Sequence, residues 1–248
     1  MSLLGKLRAL LEEGLALMAP ARRLRLALAD RTLSRCSEGR PIRLLDAGCG
    51  DGLLSMALAR RHPAWTLVGV DRHEGILSGA RARAEGKGLG NLSFQAADLL
   101  QPLPVSGFDA VAALECLSEI PDDAGALRTM AAALAPDGLL AVQVPDREWR
   151  PVLPGSADTW REQVRQGYGR EDLAALLRDA GLEAVEMVGT YRSLAAAAQE
   201  IRDRVKGAPL PVRLFAFPFL AAAVRLEDLG ITWGPPNAIF ATARKPAR

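Results

Sequence analysis

Apolar positions recur at helical spacing near the start of the chain. Leu3, Leu7, Leu10, Leu11 and Leu15 fall on one face of a helix predicted over 2–18. Pro20 restarts the chain, and a second, basic helix is predicted to run to about Arg35. From Ile42 the period changes. Short apolar runs (IRLLD, TLVGVD, NLSFQAAD, FDAVAALE and GLLAVQVP) alternate with helical stretches at 52–61, 74–85 and 122–135. Strands apolar along their whole length, each followed by a helix, describe a mostly parallel sheet with helices on both faces, an α/β architecture. A helix at 171–180 follows Gly169-Arg170 and stops at Gly181; LEAVEMVG (182–189) and NAIFATAR (237–244) supply a sixth and a seventh strand.

Almost fifty residues separate those last two strands, where a hairpin needs about two to five. The excess predicts inserted helices: one at roughly 192–206, then an apolar stretch at 209–229 that Pro209, Pro211 and Pro218 interrupt. With prolines so placed, the second stretch is not expected to form one regular amphipathic helix. The organisation expected is an N-terminal helical cap (1–40), a core (41–191), a helical lid inserted between strands six and seven (192–236), and a closing strand (237–248).

The candidate chemistry begins at the end of the first predicted strand, in LLDAGCGDG. Asp46, Gly48, Gly50 and Gly52 stand at every second position. Glycines directly after a parallel strand allow a sharp turn into a helix and a close approach of backbone to ligand. The spacing is not that of a dinucleotide fingerprint, whose third glycine would fall on Leu53, and no Gly-Lys-Ser/Thr ends it as in a phosphate loop. A carboxylate at the strand end suits a cationic group and would repel a pyrophosphate. Asp71 closes TLVGVD, where an acidic side chain can accept from both hydroxyls of a ribose.

Composition narrows the class further. Of 248 residues, 49% are hydrophobic, enough for a large core. The net charge is only +2, but it is unevenly spread: about +4 over 1–40, −7 over 41–191 and +4 over 192–225. Cys36, Cys49 and Cys116 match neither a CxxC nor a zinc pattern, and His62 and His73 are the only histidines, so no metal site is expected. An odd set of unpatterned cysteines fits a reducing cytoplasm. The N-terminus, broken by Lys6, Arg8, Glu12 and Glu13, does not read as a signal peptide, and the longest apolar run, Leu214 to Val224, contains Pro218 and is too short to span a bilayer. The basic segments lack interleaved aromatics, so nucleic acid is not an expected partner.

LLDAGCGDG resembles the first motif of class I S-adenosylmethionine-dependent methyltransferases, and the likeness runs from about Ile42 to Val188 with a closing strand near 238–243. It implies a Rossmann-like seven-stranded fold and S-adenosylmethionine as cofactor, left as S-adenosylhomocysteine. Gly48, Cys49, Gly50 and Gly52 would then line the cofactor, with Asp46 toward its amino and sulfonium side. GVDRHEGILSGAR is similar to the second motif but carries Arg72-His73 where small polar residues are common, which sets Arg72 beside the ribose carboxylate Asp71. Asp98, in QAADLLQPLP, stands where the family's carboxylate accepts from the adenine amino group, with Leu99 against the ring. FDAVAALECLSEIPDD resembles the fourth motif around Glu115, except that Ser118-Glu119 replaces a Glu-His pair. Any base must therefore come from elsewhere: Glu119, Tyr168 and Tyr191 are the candidate catalytic, substrate-side groups.

Phe215, Phe217 and Phe219, between the prolines of 209–229, would wall an apolar pocket, form a dimer contact, or dip into a membrane interface beside Arg213 and Arg225. The expectation is a cytoplasmic, optionally membrane-associated methyltransferase acting on oxygen or carbon of a small apolar or amphipathic acceptor such as a lipid, quinone, polyketide or glycolipid. The alternative from another class is a non-catalytic subunit that binds the cofactor for a partner enzyme; an aminopropyl transferase is disfavoured because its acidic amine-binding signature is missing.

Overall fold

Strands that are apolar on both sides need cover on both sides, and the helices supply it. The computed structural model describes residues 19–156 and 163–247; the helix expected over 2–18 lies outside them. The chain runs α1 (Pro20–Ser37), β1 (Arg43–Ala47), α2 (Leu53–Arg61), β2 (Thr66–Asp71), α3 (Glu74–Gly86), β3 (Leu92–Ala96) and β4 (Phe108–Leu114). A single 3-10 turn (Leu117–Glu119) leads to α4 (Asp123–Ala133), β5 (Leu134–Pro145), α5 (Arg170–Asp179), β6 (Glu183–Thr190), α6 (Ser193–Val205), α7 (Leu210–Asp228) and β7 (Ala238–Arg244). The seven strands lie in the order β3-β2-β1-β4-β5-β7-β6. β7 alone is antiparallel, wedged between β5 and β6.

Alternation along each strand divides the core. Leu45, Val111, Leu140 and Val142 face α4 and α5, where Leu127, Met130, Leu173 and Leu177 meet them. Leu44, Ala110, Ala112 and Phe240 face the other way, against Leu26, Ala29 and Leu33 of α1 and Leu58 of α2. Local signals set the ends: Asp122 caps α4 by accepting from the Gly125 amide at 2.7 Å, and Pro20 occupies the first turn of α1, where its missing N–H costs nothing. β5 starts at Leu134, earlier than GLLAVQVP suggests; Leu134 pairs with Phe108 before a register shift, with Asp137 at φ 63°.

The insertion between β6 and β7 differs from the expectation. Pro209, Pro211 and Pro218 do not break the second stretch: α7 is one continuous 19-residue helix. Pro209 precedes it and Pro211 sits in its first turn, where proline is tolerated. Pro218 deprives only the Leu214 carbonyl of a donor, and both residues are exposed, so water can serve that carbonyl. The inner side of α7 is well anchored. Leu220 and Val224 are buried, the Glu227 carboxylate accepts from the Arg192 and Ala195 amides (2.6 and 2.9 Å) at the start of α6, and Asp228 pairs with Arg31 of α1 at 2.5 Å. No helix among the described residues is long and apolar enough to cross a membrane.

The chain moves outward from β1 to β2 and β3, then returns to place β4 on the other flank of β1. That reversal leaves a crevice beyond the carboxyl ends of β1 and β4, where open α/β sheets bind ligands.

Candidate functional site

The glycine loop fills the floor of this crevice. The Gly48 and Cys49 amides both donate to the Val70 carbonyl, at 2.8 and 2.9 Å, and so tie the loop to the end of β2. Gly48, Gly50 and Gly52 all have positive φ, at 73, 53 and 69°. Their surroundings separate their roles. A Cβ on Gly48 would lie 2.4 Å from the Cys116 Cβ, and one on Gly52 would lie 2.5 Å from Cζ of Phe94. Those two glycines admit neighbouring side chains. A Cβ on Gly50 would meet nothing within 4 Å; its bare backbone faces the open crevice.

Asp71 braces that backbone from the end of β2. Its Oδ2 accepts from the Gly50 amide at 3.0 Å, and its Oδ1 accepts from the His73 amide at 2.9 Å and lies 3.1 Å from Nδ1 of His73. Oδ2 keeps an acceptor position. Asp71, Arg72, Asp98, Leu99 and Glu119 line one hollow of the crevice together with Gly48. Asp98 is exposed and accepts from the Leu100 amide at 3.0 Å, while Leu99 is buried as a wall.

A second hollow shares Gly48 and lies across the loop, lined by Arg22, Arg25, Asp46, Cys49, Gly50 and Asp51, among others. Asp46 is only 3% exposed and accepts from the Ser55 hydroxyl. Burial first, then the charges of Asp51 and Asp71, push its carboxyl up to about 6, against the pull of the Ser55 bond. The cost of ionising it is a cost that a cation in the hollow would offset. α1 closes the hollow from above: Arg22 pairs with Asp51 at 3.2 Å and Arg25 with Glu115 at 3.5 Å. The Arg25 Nε is buried and donates to nothing among the described residues. The two loop thiols are neutral: burial drives Cys49 far above the usual thiol range and Cys116 up to about 12.

Glu115 stands behind the loop rather than in either hollow. It holds φ 70°, accepts from Nε2 of Gln143 at 2.8 Å and pairs with Arg25. Beyond it lies a third hollow, between the segment after β5 and helix α6, lined by Trp149, Ser156, Tyr191, Ala196, Gln199 and Asp203, among others. Tyr191 holds φ 64°, and its hydroxyl is buried with no partner among the described residues. Burial, then the nearby Glu115 charge, holds that hydroxyl well above the usual tyrosine range. It stays protonated at neutral pH.

The expected site residues thus divide. The cofactor candidates Asp46, Gly48, Cys49, Gly50, Asp71, Arg72, Asp98 and Leu99 gather around the loop. Gly52 packs beneath it and Glu115 behind it. The three catalytic candidates do not meet. Glu119 lies in the hollow of Asp71 and Asp98, Tyr191 in the third hollow, and Tyr168 is fully buried with its hydroxyl donating to Asp123 at 3.0 Å and Arg165 stacked 4.2 Å from its ring centre. Tyr168 is held as a core brace. Arg22, Arg25, Trp149 and Gln199 were not singled out from the sequence. The spacing of Arg22 and Arg25, one helical turn apart in ARRLR, carried a signal; Trp149 and Gln199 are brought in by tertiary packing alone.

Comparisons with known proteins agree with this geometry. The family described as Methyltransferase domain matches residues 21–187. A trans-aconitate 2-methyltransferase of Acidovorax sp. (strain JS42) is 33% identical over 154 residues, 60% of this chain and 57% of that one, so the chain spans little more than half the length of this relative. A ubiquinone biosynthesis O-methyltransferase of Neisseria meningitidis serogroup A is 28% identical over 188 residues, covering 69% of this chain and 75% of the relative. Among solved structures, the 4+2 cyclase SpnF superposes with a TM-score of 0.63 at 27% identity, covering 88% of this chain and 82% of its own. With the family match spanning most of the chain, and with the loop, the strand order and the carboxylates in these places, the chain belongs to the class I S-adenosylmethionine-dependent methyltransferases.

Proposed function

We propose that the protein transfers a methyl group from S-adenosylmethionine to oxygen or carbon of a small, apolar or amphipathic acceptor held between Trp149, Tyr191 and Ala196. The observation that carries this reading is a pair of hollows that share Gly48, one lined by Asp46, Arg22 and Arg25 and the other by Asp71, Asp98 and Leu99. The residues fit the cofactor. Asp46 would hold the ammonium, and the unpartnered Nε of Arg25, with Arg22, would hold the carboxylate. Asp71 accepts from the ribose, Asp98 from the adenine amino group, and Leu99 packs on the ring. When bound, S-adenosylmethionine supplies an electrophilic methyl group with a neutral leaving group.

The chain's remaining task is orientation, which can lower a barrier by about 7–11 kcal/mol in well-aligned systems. Tyr191, neutral at physiological pH, donates to the acceptor oxygen and fixes its direction. Trp149 and Ala196 supply apolar wall, beside Glu200, Asp203, Arg204 and Lys206, which suit the polar end of an amphipathic acceptor. Glu119 stands on the adenine side of the crevice, so it orders the cofactor rather than taking the acceptor's proton. The name of the Neisseria relative, an O-methyltransferase of ubiquinone biosynthesis, supports an acceptor of this class.

A second reading has one observation in its favour: SpnF, 27% identical, is described as a cyclase. On that reading the chain binds the cofactor without passing on its methyl group. S-adenosylmethionine labelled on the methyl decides between them, incubated with the protein and a cell extract that is then partitioned between organic solvent and water. Label in the organic phase supports the proposal, and Tyr191→Phe is then expected to lose roughly ten- to a hundredfold in kcat/KM while binding S-adenosylhomocysteine normally. Label in the water phase overturns the apolar acceptor. Cofactor binding with no label in either phase overturns methyl transfer and favours the second reading.

A further inference from the structure

We infer that the outer face of α7 is a docking surface for an anionic lipid bilayer. Residues 211, 215, 218, 222, 226 and 229 follow one another at intervals of three or four and form a single stripe, and all are exposed. Phe215 is 75% exposed and Phe219 67%, with ring centres 5.9 Å apart. The surface continues past the helix through Ile231 to Trp233, itself 63% exposed. Contiguous aromatic and aliphatic surface of this extent is unusual on a face that meets only water.

Charge decides what covers it. The outward stripe holds no acidic side chain. The only acids of α7, Glu227 and Asp228, are turned inward, one onto the amides of α6 and the other onto Arg31. Arg225 lies 3.6 Å from the Asp228 carboxylate yet remains 67% exposed beside the stripe, and Lys206 and Arg213 lie at its near end. Over 192–236 six basic residues stand against four acidic ones, two of which are the inward Glu227 and Asp228. A second copy laid face to face would bring like charges together with no carboxylate on the stripe to meet them. An anionic lipid surface accepts both components: the rings enter the headgroup boundary and the cations stay among the phosphates. A helix of 19 residues is about 28 Å long and lies in the plane of such a surface. Pro218, on the outward side, suits a face whose freed carbonyl lies at the headgroup level, where polar partners remain. The inference does not depend on which acceptor the third hollow takes.

Flotation of the full chain with phosphatidylcholine vesicles, with and without phosphatidylglycerol, tests it. The expected result is flotation that requires phosphatidylglycerol, weakens with salt, and falls about tenfold in Phe215→Ser/Phe219→Ser. That double variant is expected to melt and to bind S-adenosylhomocysteine as the parent does, because both rings are exposed. Arg213→Gln/Arg225→Gln separates the electrostatic part and should float less on the same vesicles. The inference is overturned if the parent does not float, if the serine variant floats equally, or if the parent elutes as a dimer that the serine substitutions dissolve.

Discussion

At the scale of single residues, Asp46 holds an unusual balance. Its carboxyl is nearly excluded from water and titrates near 6 instead of 3.8, mainly because ionisation in that position is unsolvated. The sign follows. Below about 3.8 the group is neutral in the folded and unfolded chain; through the window up to 6 the folded state keeps the extra proton, so stability falls as pH rises and stays lower above it. Asp46→Asn keeps an acceptor for Ser55 and removes the buried charge. It is expected to raise the stability of the ligand-free protein at pH 8 by about 1–3 kcal/mol and to do little at pH 4, read from paired thermal melts. The same substitution should weaken S-adenosylmethionine binding about tenfold or more at pH 8 by calorimetry, since the cation loses its partner. Equal melting of both forms at pH 8 would show that Asp46 is not ionised at a cost. This residue was legible in sequence as a carboxylate at a strand end. Tyr191 was legible only as a candidate among three, because its buried, unpartnered hydroxyl and positive φ are announced by no local pattern.

At the scale of elements, the period of the apolar pattern was the most reliable guide. TLVGVD corresponds residue for residue to β2, and the helices at 52–61 and 74–85 end within one residue of α2 and α3. Fully buried strands and short helices carry their burial in their own residues, which is why the pattern suffices. α7 escaped that logic. A proline is read locally as a stop, yet its cost depends on where its face points, and Pro218 points outward. The loss of one hydrogen bond there is offset by the inward anchors Leu220, Val224 and Glu227. Pro218→Ala restores a donor to the Leu214 carbonyl and is expected to stabilise the fold by about 1–2 kcal/mol, less than the full helix-propensity difference because the unfolded chain also gains freedom. An unchanged or lower melting temperature would mean that Pro218 is required by the packing of α7 on α6.

At the scale of the whole molecule, the cofactor hollows are completed by parts distant in sequence. α1 lays Arg22 and Arg25 over the glycine loop, the Ala21 amide meets Gln199 of α6 at 3.4 Å, and Arg31 reaches Asp228 of α7. The sequence marked a basic cap before the core and an insertion after β6; that the two pack on each other could not be read from either, since contacts across almost two hundred residues leave no local trace. This connection has a physical consequence. A ligand gripping Arg25 and Asp46 links α1 to the sheet, and through α1 it holds α6 and α7 more firmly, although it touches neither. Saturation at about a hundred times Kd adds roughly 2.7 kcal/mol to stability, and that increment should not be uniform. Amide hydrogen exchange is expected to slow on S-adenosylhomocysteine binding in α1, in the loop from Gly48 to Gly52 and at the α6 and α7 contacts with α1. It should stay nearly unchanged in α4 and α5, which pack on the opposite face of the sheet. Arg25→Ala should abolish the protection in α6 and α7 while leaving that of the loop, because Asp71, the Val70 carbonyl and the Arg22–Asp51 pair still hold the loop. Uniform protection in both proteins would instead describe a core that responds as one body, with α1 a passive cover.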